Sequence, residues 1–388
     1  MQRIYLDNAA TSYPKAPGLG DAVKHFIDDV GDNVNRSGYD VMAADEMVFE
    51  TRDMLAELFN FPNPENVVFT LNITYGLNFL LKGVLQPGDH VIVSSMEHNA
   101  VMRPLMQLAN QGAELSRVSC DDEGKIDVES LRQHIKQSTK MVIVTHASNV
   151  SGTILPVEQI GAVCEEKGLL FVVDTAQTAG VLEIDFERIK ADALAFTGHK
   201  GLLGPQGIGG FLISQDLAGN MDALVSGGTG SLSEHEDVPP YLPDKFEAGT
   251  PNLPGIYGLN RALRYLEEVG LDSIREKESQ LATGLLEGLA NMEGVRILGP
   301  REAQGRMAVV SADFVGYDNA QVAYFLHKHH GIRTRCGLHC APSAHKTLGT
   351  FPQGTVRFSP GHFNTKEDME KTLSAVRQAL KELDSILR

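Results

Sequence analysis

The sequence predicts an α/β protein with a large, mainly parallel sheet flanked by helices, followed by a smaller α+β region at the carboxyl end. Two patterns predict this fold. Between about residues 42 and 215, short apolar runs alternate with segments whose apolar residues recur at helical spacing, as in βαβ units. After residue 254, two long helical segments are followed by short strands and a long final helix.

In the first region, helical spacing predicts helices, and continuous apolar or β-branched runs predict strands buried on both faces. The predicted helices are residues 42–59, 74–85, 100–110 and 156–167. The predicted strands are residues 67–69, 90–94, 141–144, 169–173, 193–196 and 210–213.

In the second region, the predicted helices are residues 255–268, 271–292, 319–330 and 366–387. The predicted strands are residues 295–298, 307–312, 331–335 and 355–359. We divide the chain into a large domain of residues 14–260 and a small domain formed by residues 1–13 and 261–388. Residues 227–242, rich in Gly, Ser, Pro and acids, predict a long loop.

Composition limits the classes of partner and location. The 388 residues include 34 Lys and Arg and 50 Asp and Glu, which gives a formal net charge of −16. No run of basic residues offers a local patch, so neither nucleic acid nor an anionic membrane is an expected partner. No apolar stretch approaches the roughly 18 to 20 residues of a membrane span, and no signal pattern opens the chain, so we expect a cytoplasmic protein. Four cysteines are too few for a disulfide scaffold.

Polar residues follow three predicted strands of the large sheet. They are Thr-His-Ala-Ser-Asn at 145–149, Asp-Thr-Ala-Gln at 174–177 and Thr-Gly-His-Lys at 197–200. Parallel sheets bind ligands at the carboxyl ends of their strands. A single aspartate at a strand end is a helix cap or turn residue about half of the time, and a single lysine is usually on the surface. The inference of a ligand site therefore depends on the three groups together.

The set suits pyridoxal phosphate. The amine of Lys200 can form a Schiff base with the cofactor's aldehyde. The carboxylate of Asp174 can keep the pyridine nitrogen protonated, which makes the ring an electron sink. Thr74 opens a helix after a strand, where backbone N–H groups bind phosphate, and His98 can place its imidazole over a flat ring.

Further motifs extend the set along the chain. They are Leu-Asp-Asn-Ala-Ala-Thr at 6–11, Glu-His at 97–98, Phe-Glu-Ala-Gly-Thr-Pro-Asn at 246–252, Arg-Cys-Gly-Leu-His-Cys at 335–340 and Arg357. With these motifs in this order, the chain resembles the cysteine desulfurase and selenocysteine lyase family of class-V aminotransferases. Resemblance from residue 6 to residue 364 implies the fold-type I architecture of pyridoxal phosphate enzymes, with that cofactor.

The resemblance also implies residue roles. Lys200 carries the cofactor and moves the substrate Cα proton, Asp174 pairs with the pyridine nitrogen, and His98 stacks on the ring and shuttles protons. Gln177 and Asn149 would approach the phenolic oxygen of the cofactor. Thr74, Thr197 and His199 would bind its phosphate, and Thr250 would bind the phosphate of the other subunit in a homodimer. The residues that would bind the substrate are Arg357, Asn149, Ala9 and Arg335. Arg357 would bind the carboxylate through its planar guanidinium; without the resemblance, a surface ion pair explains it equally well.

Cys340 occupies the position of the nucleophilic cysteine in the Arg-x-Gly-x-His-Cys motif of the second desulfurase group. The resemblance implies that its thiolate attacks the sulfur of L-cysteine, so that L-alanine leaves and a persulfide stays on Cys340. A sulfur-acceptor protein would be a further partner. With L-selenocysteine, the alternative substrate, selenium release depends less on this thiol.

Two other interpretations of this cysteine stay open. His327, His329, His330, Cys336, His339, Cys340 and His345 crowd into residues 327–345 and resemble a zinc knuckle. We assign no metal, because a structural zinc usually uses a compact loop with two clear ligand pairs. Alternatively, Cys340 is a small buried residue, a place that free cysteine suits well.

Other functions also stay open. Another β-elimination or a transamination of a small amino acid fits the same fold. A non-catalytic docking protein is disfavoured by Lys200 and Asp174, and a dinucleotide enzyme by the lack of a Gly-x-Gly-x-x-Gly motif after the first strand.

The chain departs from the family pattern at several positions. Cys336 replaces a small or hydroxyl residue; it could pair with Cys340, accept its persulfide sulfur, or have no role. Leu338 and Asn35-Arg36 stand where relatives have His and His-Arg, which leaves the substrate open between L-cysteine and L-selenocysteine.

Overall fold

The computed structural model describes residues 3–34, 42–232 and 234–387. Asn35 and Arg36, where the chain departs from the family pattern, lie outside these residues. The strands are β1 (Ile4–Tyr5), β2 (Val67–Thr70), β3 (His90–Ser94), β4 (Glu114–Val118), β5 (Thr139–Thr145), β6 (Leu170–Asp174), β7 (Ala193–Thr197), β8 (Gly209–Ile213), β9 (Val295–Ile297), β10 (Val310–Phe314), β11 (Ile332–Arg333), β12 (Arg335–Gly337) and β13 (Thr355–Phe358).

The α-helices are α1 (Leu19–His25), α2 (Met42–Leu58), α3 (Ile73–Lys82), α4 (Asn99–Ala109), α5 (Val128–Gln133), α6 (Val157–Lys167), α7 (Phe186–Ile189), α8 (Gln215–Gly219), α9 (Leu253–Val269), α10 (Leu271–Ala290), α11 (Asn319–His330), α12 (Pro342–Thr347) and α13 (Lys366–Leu387). A π-helical turn, Phe26–Val30, continues α1, and a 3-10 turn, Pro64–Asn66, precedes β2. Among the described residues, no helix is long and apolar enough to cross a lipid bilayer.

The large sheet has seven strands in the order β2-β8-β7-β6-β5-β3-β4. Strand β8 runs antiparallel to both neighbours, and the other adjacent pairs are parallel. Along β5, Val142 and Val144 join one apolar cluster with α6 and α9, whereas Met141 and Ile143 join another with α3 and α4. Helices therefore cover both faces, which explains the continuous apolar runs and confirms the predicted fold class.

A second sheet of four antiparallel strands has the order β12-β13-β10-β9. On one face, Val310 and Val356 pack in a cluster with α10, α11 and α13. On the other face, Arg335 and Ser311 flank Arg357 in register. This face is turned toward the large sheet, because Arg335 and Arg357 line a cavity together with residues from the ends of β5, β6 and β7.

The start of the chain joins this second region. Strand β1 pairs in parallel with β11, with Ile4 opposite Ile332. The predicted domain boundary at residue 260 falls inside α9, whose residues Leu259 and Leu263 share one apolar cluster with Val144 of the large sheet. The boundaries at residues 14 and 260 stay a prediction.

Several short elements differ from the predictions. The predicted strand 331–335 is two strands, β11 and β12, that pair in different sheets. The predicted strand 307–312 begins only at Val310. Strand β4 was not predicted, because it is an edge strand with exposed Glu114 and Arg117 and lacks a continuous apolar run. Helices α5, α7, α8 and α12 have at most six residues, too few for a clear helical period.

Candidate active site

A cavity of about 600 Å³ lies between the carboxyl ends of the large sheet and the second sheet. Thr145, Asp174 and Thr197, the last residues of β5, β6 and β7, line it from one side. The predicted site residues that line this cavity are Ala9, Thr74, His98, Asn149, Asp174, Gln177, Thr197, His199, Lys200, Arg335, Cys340 and Arg357. The structure therefore brings together every predicted site residue except Thr250, while their individual roles stay predictions.

Asp174 and Lys200 form the charged centre of the large-sheet side. Asp174 is 3% exposed, and its Oδ1 accepts a hydrogen bond from the backbone N–H of Ala176 at 2.9 Å. Burial raises the pKa of Asp174, and the nearby ammonium of Lys200 opposes that rise. Burial lowers the pKa of Lys200 to about 8, and Arg357 lowers it further while Asp174 opposes the effect. A lysine with this pKa is a free amine in part near neutral pH, as Schiff-base chemistry requires.

His98 is the N-cap of α4. Its Nδ1 accepts a hydrogen bond from the backbone N–H of Ala100 at 3.0 Å, so the neutral ring carries its proton on Nε2. Burial, followed by the positive charge of Lys200, lowers the pKa of His98 to about 4. The ring is therefore neutral at physiological pH and presents an N–H donor.

Glu97, beside this histidine, is fully buried. Its Oε1 accepts hydrogen bonds from the hydroxyl of Ser94 and from the backbone N–H of Thr145, the latter at 3.1 Å. Burial raises the pKa of Glu97 to about 8. A protonated Glu97 thus fixes the backbone at the end of β5, next to the cavity.

The features expected of a phosphate site occur together at the start of α3. Thr74 and Tyr75 line the cavity in the first turn of this helix. The backbone N–H of Tyr75 is capped by Oδ1 of Asn72, which leaves the N–H groups of Ile73 and Thr74 without a helical partner. Oγ1 of Thr197 and Nδ1 of His199 are buried and have no hydrogen-bond partner among the described residues. Because unpaired buried polar atoms are costly, this arrangement fits an anionic group that would satisfy them.

Arg357 is 2% exposed, which excludes a surface ion pair. Its Nη2 donates to Oδ1 of Asp7 at 2.7 Å, and its Nη1 donates to the backbone carbonyl of Asn149 at 3.1 Å. Burial lowers the pKa of Arg357, and Asp7 opposes that shift. With Arg335 beside it in register, Arg357 gives the cavity two guanidinium groups suited to a carboxylate.

Cys340 lies in a tight turn that we call the cysteine turn, residues 339–340. His339 and Cys340 both have left-handed backbone angles, with φ values of 49° and 57°. Nδ2 of Asn149 donates to the carbonyl of His339 at 2.7 Å, and the backbone N–H of Asn99 donates to the carbonyl of Cys340 at 2.7 Å. The alternative that Cys340 is a buried packing residue is wrong, since Cys340 is exposed and lines the cavity.

Cys336 lies on the opposite face of the second sheet. It is paired in register with Val356, which packs in the cluster beneath α10, α11 and α13. Its strand neighbour Arg335 lines the cavity, and successive side chains of a strand point to opposite faces. Cys336 and Cys340 are both free thiols. Across the described residues there is no group of three His, Cys, Asp or Glu side chains placed to hold a metal ion.

Thr250 does not line the cavity. It lies in a separate pocket of about 220 Å³ with Glu247 and Phe246, and this pocket shares Tyr75 with the main cavity. The assignment of Thr250 to the phosphate of another subunit stays a prediction.

The sequence-based assignment missed several cavity residues. Thr145 and His339 line the cavity and stand inside motifs that were recognised, so position within a motif was the available signal. Tyr75 follows the assigned Thr74 directly. Gln206 lies in a loop after Lys200, and no sequence pattern singles it out.

Known proteins are similar to this chain over nearly its whole length. The sequence profile of the family described as aminotransferase class-V matches residues 4–372. A probable cysteine desulfurase from Pyrococcus abyssi is 35% identical over 98% of this chain and 95% of its own length. The cysteine desulfurase from Haloferax volcanii is 32% identical over 97% of this chain and 89% of its own length.

Solved structures are also similar. The apo structure of a cysteine desulfurase from Thermococcus onnurineus NA1 superimposes with a TM-score of 0.91 and 34% identity, and the match covers 98% of this chain and 95% of that chain. The cysteine desulfurase CsdA from Escherichia coli has a TM-score of 0.87 and 29% identity, with 97% and 94% covered.

Proposed function

We propose that this chain, which belongs to the class-V aminotransferase family, is a pyridoxal phosphate-dependent cysteine desulfurase that converts L-cysteine to L-alanine. The observation that carries the proposal is the exposed thiol of Cys340 in the same cavity as Lys200, Asp174 and Arg357. The named relatives, similar over nearly their full length, support the same substrate.

The residues present fit the cofactor. When bound, pyridoxal phosphate supplies an electron sink for the bond that breaks at the substrate Cα. Nζ of Lys200 would attach the cofactor, and the carboxylate of Asp174 would pair with its ring nitrogen. The unpartnered Thr197 Oγ1 and His199 Nδ1, together with the first turn of α3, would hold its phosphate.

The protein's own residues then position the substrate and move its proton. Arg357 and Arg335 bind the substrate carboxylate, because both guanidinium groups border the cavity. The amine of Lys200, with its pKa lowered to about 8, takes the proton from Cα and later returns a proton to carbon. His98 stays neutral and donates from Nε2.

The sulfur step uses Cys340. Its thiolate attacks the substrate sulfur, a sulfur–sulfur bond forms and the Cβ–S bond breaks. The electron pair of the broken bond goes to carbon, which is protonated, so carbon is reduced as sulfur is oxidised. L-cysteine and the Cys340 thiol thus give L-alanine and a Cys340 persulfide with no external oxidant. The exposure of Cys340 suits passage of this sulfur to an acceptor protein.

A homodimer is part of the proposal. Thr250 lies in a pocket that meets the main cavity at Tyr75, and does not itself line that cavity. A second subunit would bring its own Thr250 to the phosphate site. This arrangement accounts for the one assigned residue that stands apart.

The test measures L-alanine released from L-cysteine and from L-selenocysteine by the cofactor-loaded wild type, Cys340→Ser and Cys336→Ser. We expect Cys340→Ser to lose at least about 100-fold of its rate on L-cysteine and to retain release from L-selenocysteine, because the nucleophile is needed to remove sulfur. Cys336→Ser is the matched control and should keep the wild-type rate.

Two outcomes would contradict the proposal. Equal rates for wild type and Cys340→Ser on both substrates would make the thiol incidental, as in a selenocysteine lyase. No L-alanine from either substrate, with the cofactor attached to Lys200, would mean another reaction on a small amino acid.

A further inference from the structure

Two histidines, His339 on the cavity wall and His345 outside it in α12, are close enough to Arg357 for its charge to act on both rings. His339 is 5% exposed and His345, in α12, is fully buried. Their ring centroids are 5.4 Å apart. Each ring has one nitrogen near a threonine hydroxyl: His339 Nε2 is 3.2 Å from Thr355 Oγ1, and His345 Nδ1 is 2.7 Å from Thr350 Oγ1.

Three polar atoms of this cluster lack partners. Nδ1 of His339, Nε2 of His345 and Nε of Arg357 are buried without a hydrogen bond among the described residues. The guanidinium Nε–H can only donate, whereas a neutral imidazole offers one acceptor nitrogen. Apolar side chains would fill the same space without this cost, so three unpaired polar groups at one place need an explanation.

Both rings are suited to accept a hydrogen bond. Burial, followed by the charge of Arg357, lowers the pKa of His339 to about 2 and that of His345 to about 4. Both rings are therefore neutral at physiological pH. When the nitrogen beside each threonine donates to that hydroxyl, the unpaired nitrogen of each ring is its acceptor.

The cluster also connects the two parts of the proposed reaction. Thr355 and Arg357 are two residues apart in β13, so their side chains share the face of the second sheet that meets the cavity. His339 directly precedes Cys340 in the cysteine turn. The group that would bind the carboxylate and the thiol-bearing residue therefore have one support in common.

We propose that His339 and His345 are a pair of neutral positioning residues joined to Arg357 by a buried water, which accepts the Nε–H and donates to the two unpaired ring nitrogens, and that they so hold the guanidinium plane for an α-amino acid carboxylate. The proposal takes its substrate class from the proposed function but does not depend on sulfur chemistry. It predicts that the pair acts on binding of the carboxylate.

The experiment measures binding of L-alanine to the cofactor-loaded protein through the change in the cofactor's visible absorption. Ethylamine, which has the amine but no carboxylate, is titrated in parallel. The variants are His345→Phe, which keeps a ring and loses both nitrogens, and His345→Gln, which keeps an acceptor oxygen. His329→Phe is the matched control, because His329 is an exposed histidine on α11.

We expect His345→Phe to weaken L-alanine binding about 10-fold, the effect of one lost hydrogen bond to a charged group. Ethylamine binding should not change. His345→Gln should bind L-alanine within about 3-fold of wild type, and His329→Phe should match wild type. In an Arg357→Lys background, His345→Phe should cause no further loss, since the group it supports is gone.

Other outcomes would overturn the proposal. If His345→Phe lowers the thermal midpoint but binds L-alanine like wild type, or weakens both ligands equally, the histidines serve packing alone. If His345→Phe does not fold, equal loss for L-alanine and ethylamine in His345→Gln would have the same meaning. L-alanine binding that responds as expected in a protein that makes no L-alanine from L-cysteine would defeat the proposed function and leave this inference standing.

Discussion

The two sides of the cavity are built in different ways. On the large-sheet side, Asp174 and Thr197 end buried parallel strands, and the strand ladder fixes their positions. On the other side, Cys340 lies in a turn of two left-handed residues held by Asn149 and Asn99. Lys200 and the cysteine turn therefore face one cavity from a regular and an irregular scaffold.

This difference separates the residues that serve any reaction of the cofactor from the residue that serves sulfur removal. The strand ends supply the groups suited to any amino acid reaction that uses this cofactor. The cysteine turn supplies the one group specific for sulfur. Changes on the first side should abolish all turnover, whereas changes in the turn should alter the sulfur step or local stability alone.

The largest expected effect is that of Lys200→Ala on the strand-end side. Loss of the amine removes both cofactor attachment and proton transfer, so alanine release should fall by at least about 1,000-fold on every substrate. The visible absorption of the attached cofactor should also disappear. Lys140→Ala, in a surface ion pair with Asp89, is the control. Undiminished turnover by Lys200→Ala would contradict the assignment of the general cofactor chemistry to the strand-end side.

The next effect is the pH dependence of stability through Glu97. Burial raises its pKa from 4.5 to about 8, so the folded state binds a proton that the unfolded state releases between these values. The contribution of Glu97 to the free energy of unfolding is thus fully present below about pH 4.5 and is lost as the pH rises through about 8. Glu97→Gln should remove this dependence.

The measurement is urea unfolding at about pH 5 and pH 8. The wild type should lose more stability across this interval than Glu97→Gln, at a slope of up to about 1.4 kcal/mol per pH unit. Identical pH profiles would mean that Glu97 is ionised in the folded protein.

The smallest effect concerns the backbone of the cysteine turn. Cys340 has a φ of 57°, a region that glycine enters without steric cost. The free energy of unfolding of Cys340→Gly should therefore be about 1 kcal/mol higher than that of Cys340→Ala, although both lack the thiol. Urea unfolding of the two variants measures this difference. Equal stability would show that the turn relaxes to ordinary angles, and the contrast between the two scaffolds would weaken.

The sequence was informative where structure is regular. The strand ends at residues 145, 174 and 197 were predictable, because apolar runs mark buried strands and polar residues mark their ends. The resemblance then supplied Cys340 and Arg357. Nothing local to Cys336 indicated that it faces the helix-covered side of the second sheet, since that depends on its pairing with Val356.

The geometry of the cysteine turn was not predictable for the same reason. The amide of Asn149 that holds it is 190 residues away along the chain. The histidine pair near Arg357 depends on two contacts: His345 with Thr350 joins α12 to the loop after it, and His339 with Thr355 joins the cysteine turn to β13. Contacts between separate elements leave no periodic pattern in the sequence.

The most direct test identifies the cysteine that receives the sulfur atom of L-cysteine. The cofactor-loaded protein is mixed with L-cysteine without reductant, quenched, digested and analysed by mass spectrometry. We expect one additional sulfur atom on the peptide that contains Cys340, in an amount equal to the L-alanine formed, and none on peptides with Cys120 or Cys164. Additional sulfur on Cys336 when Cys340 is replaced by serine, or L-alanine formed with no persulfide on Cys340, would contradict this expectation.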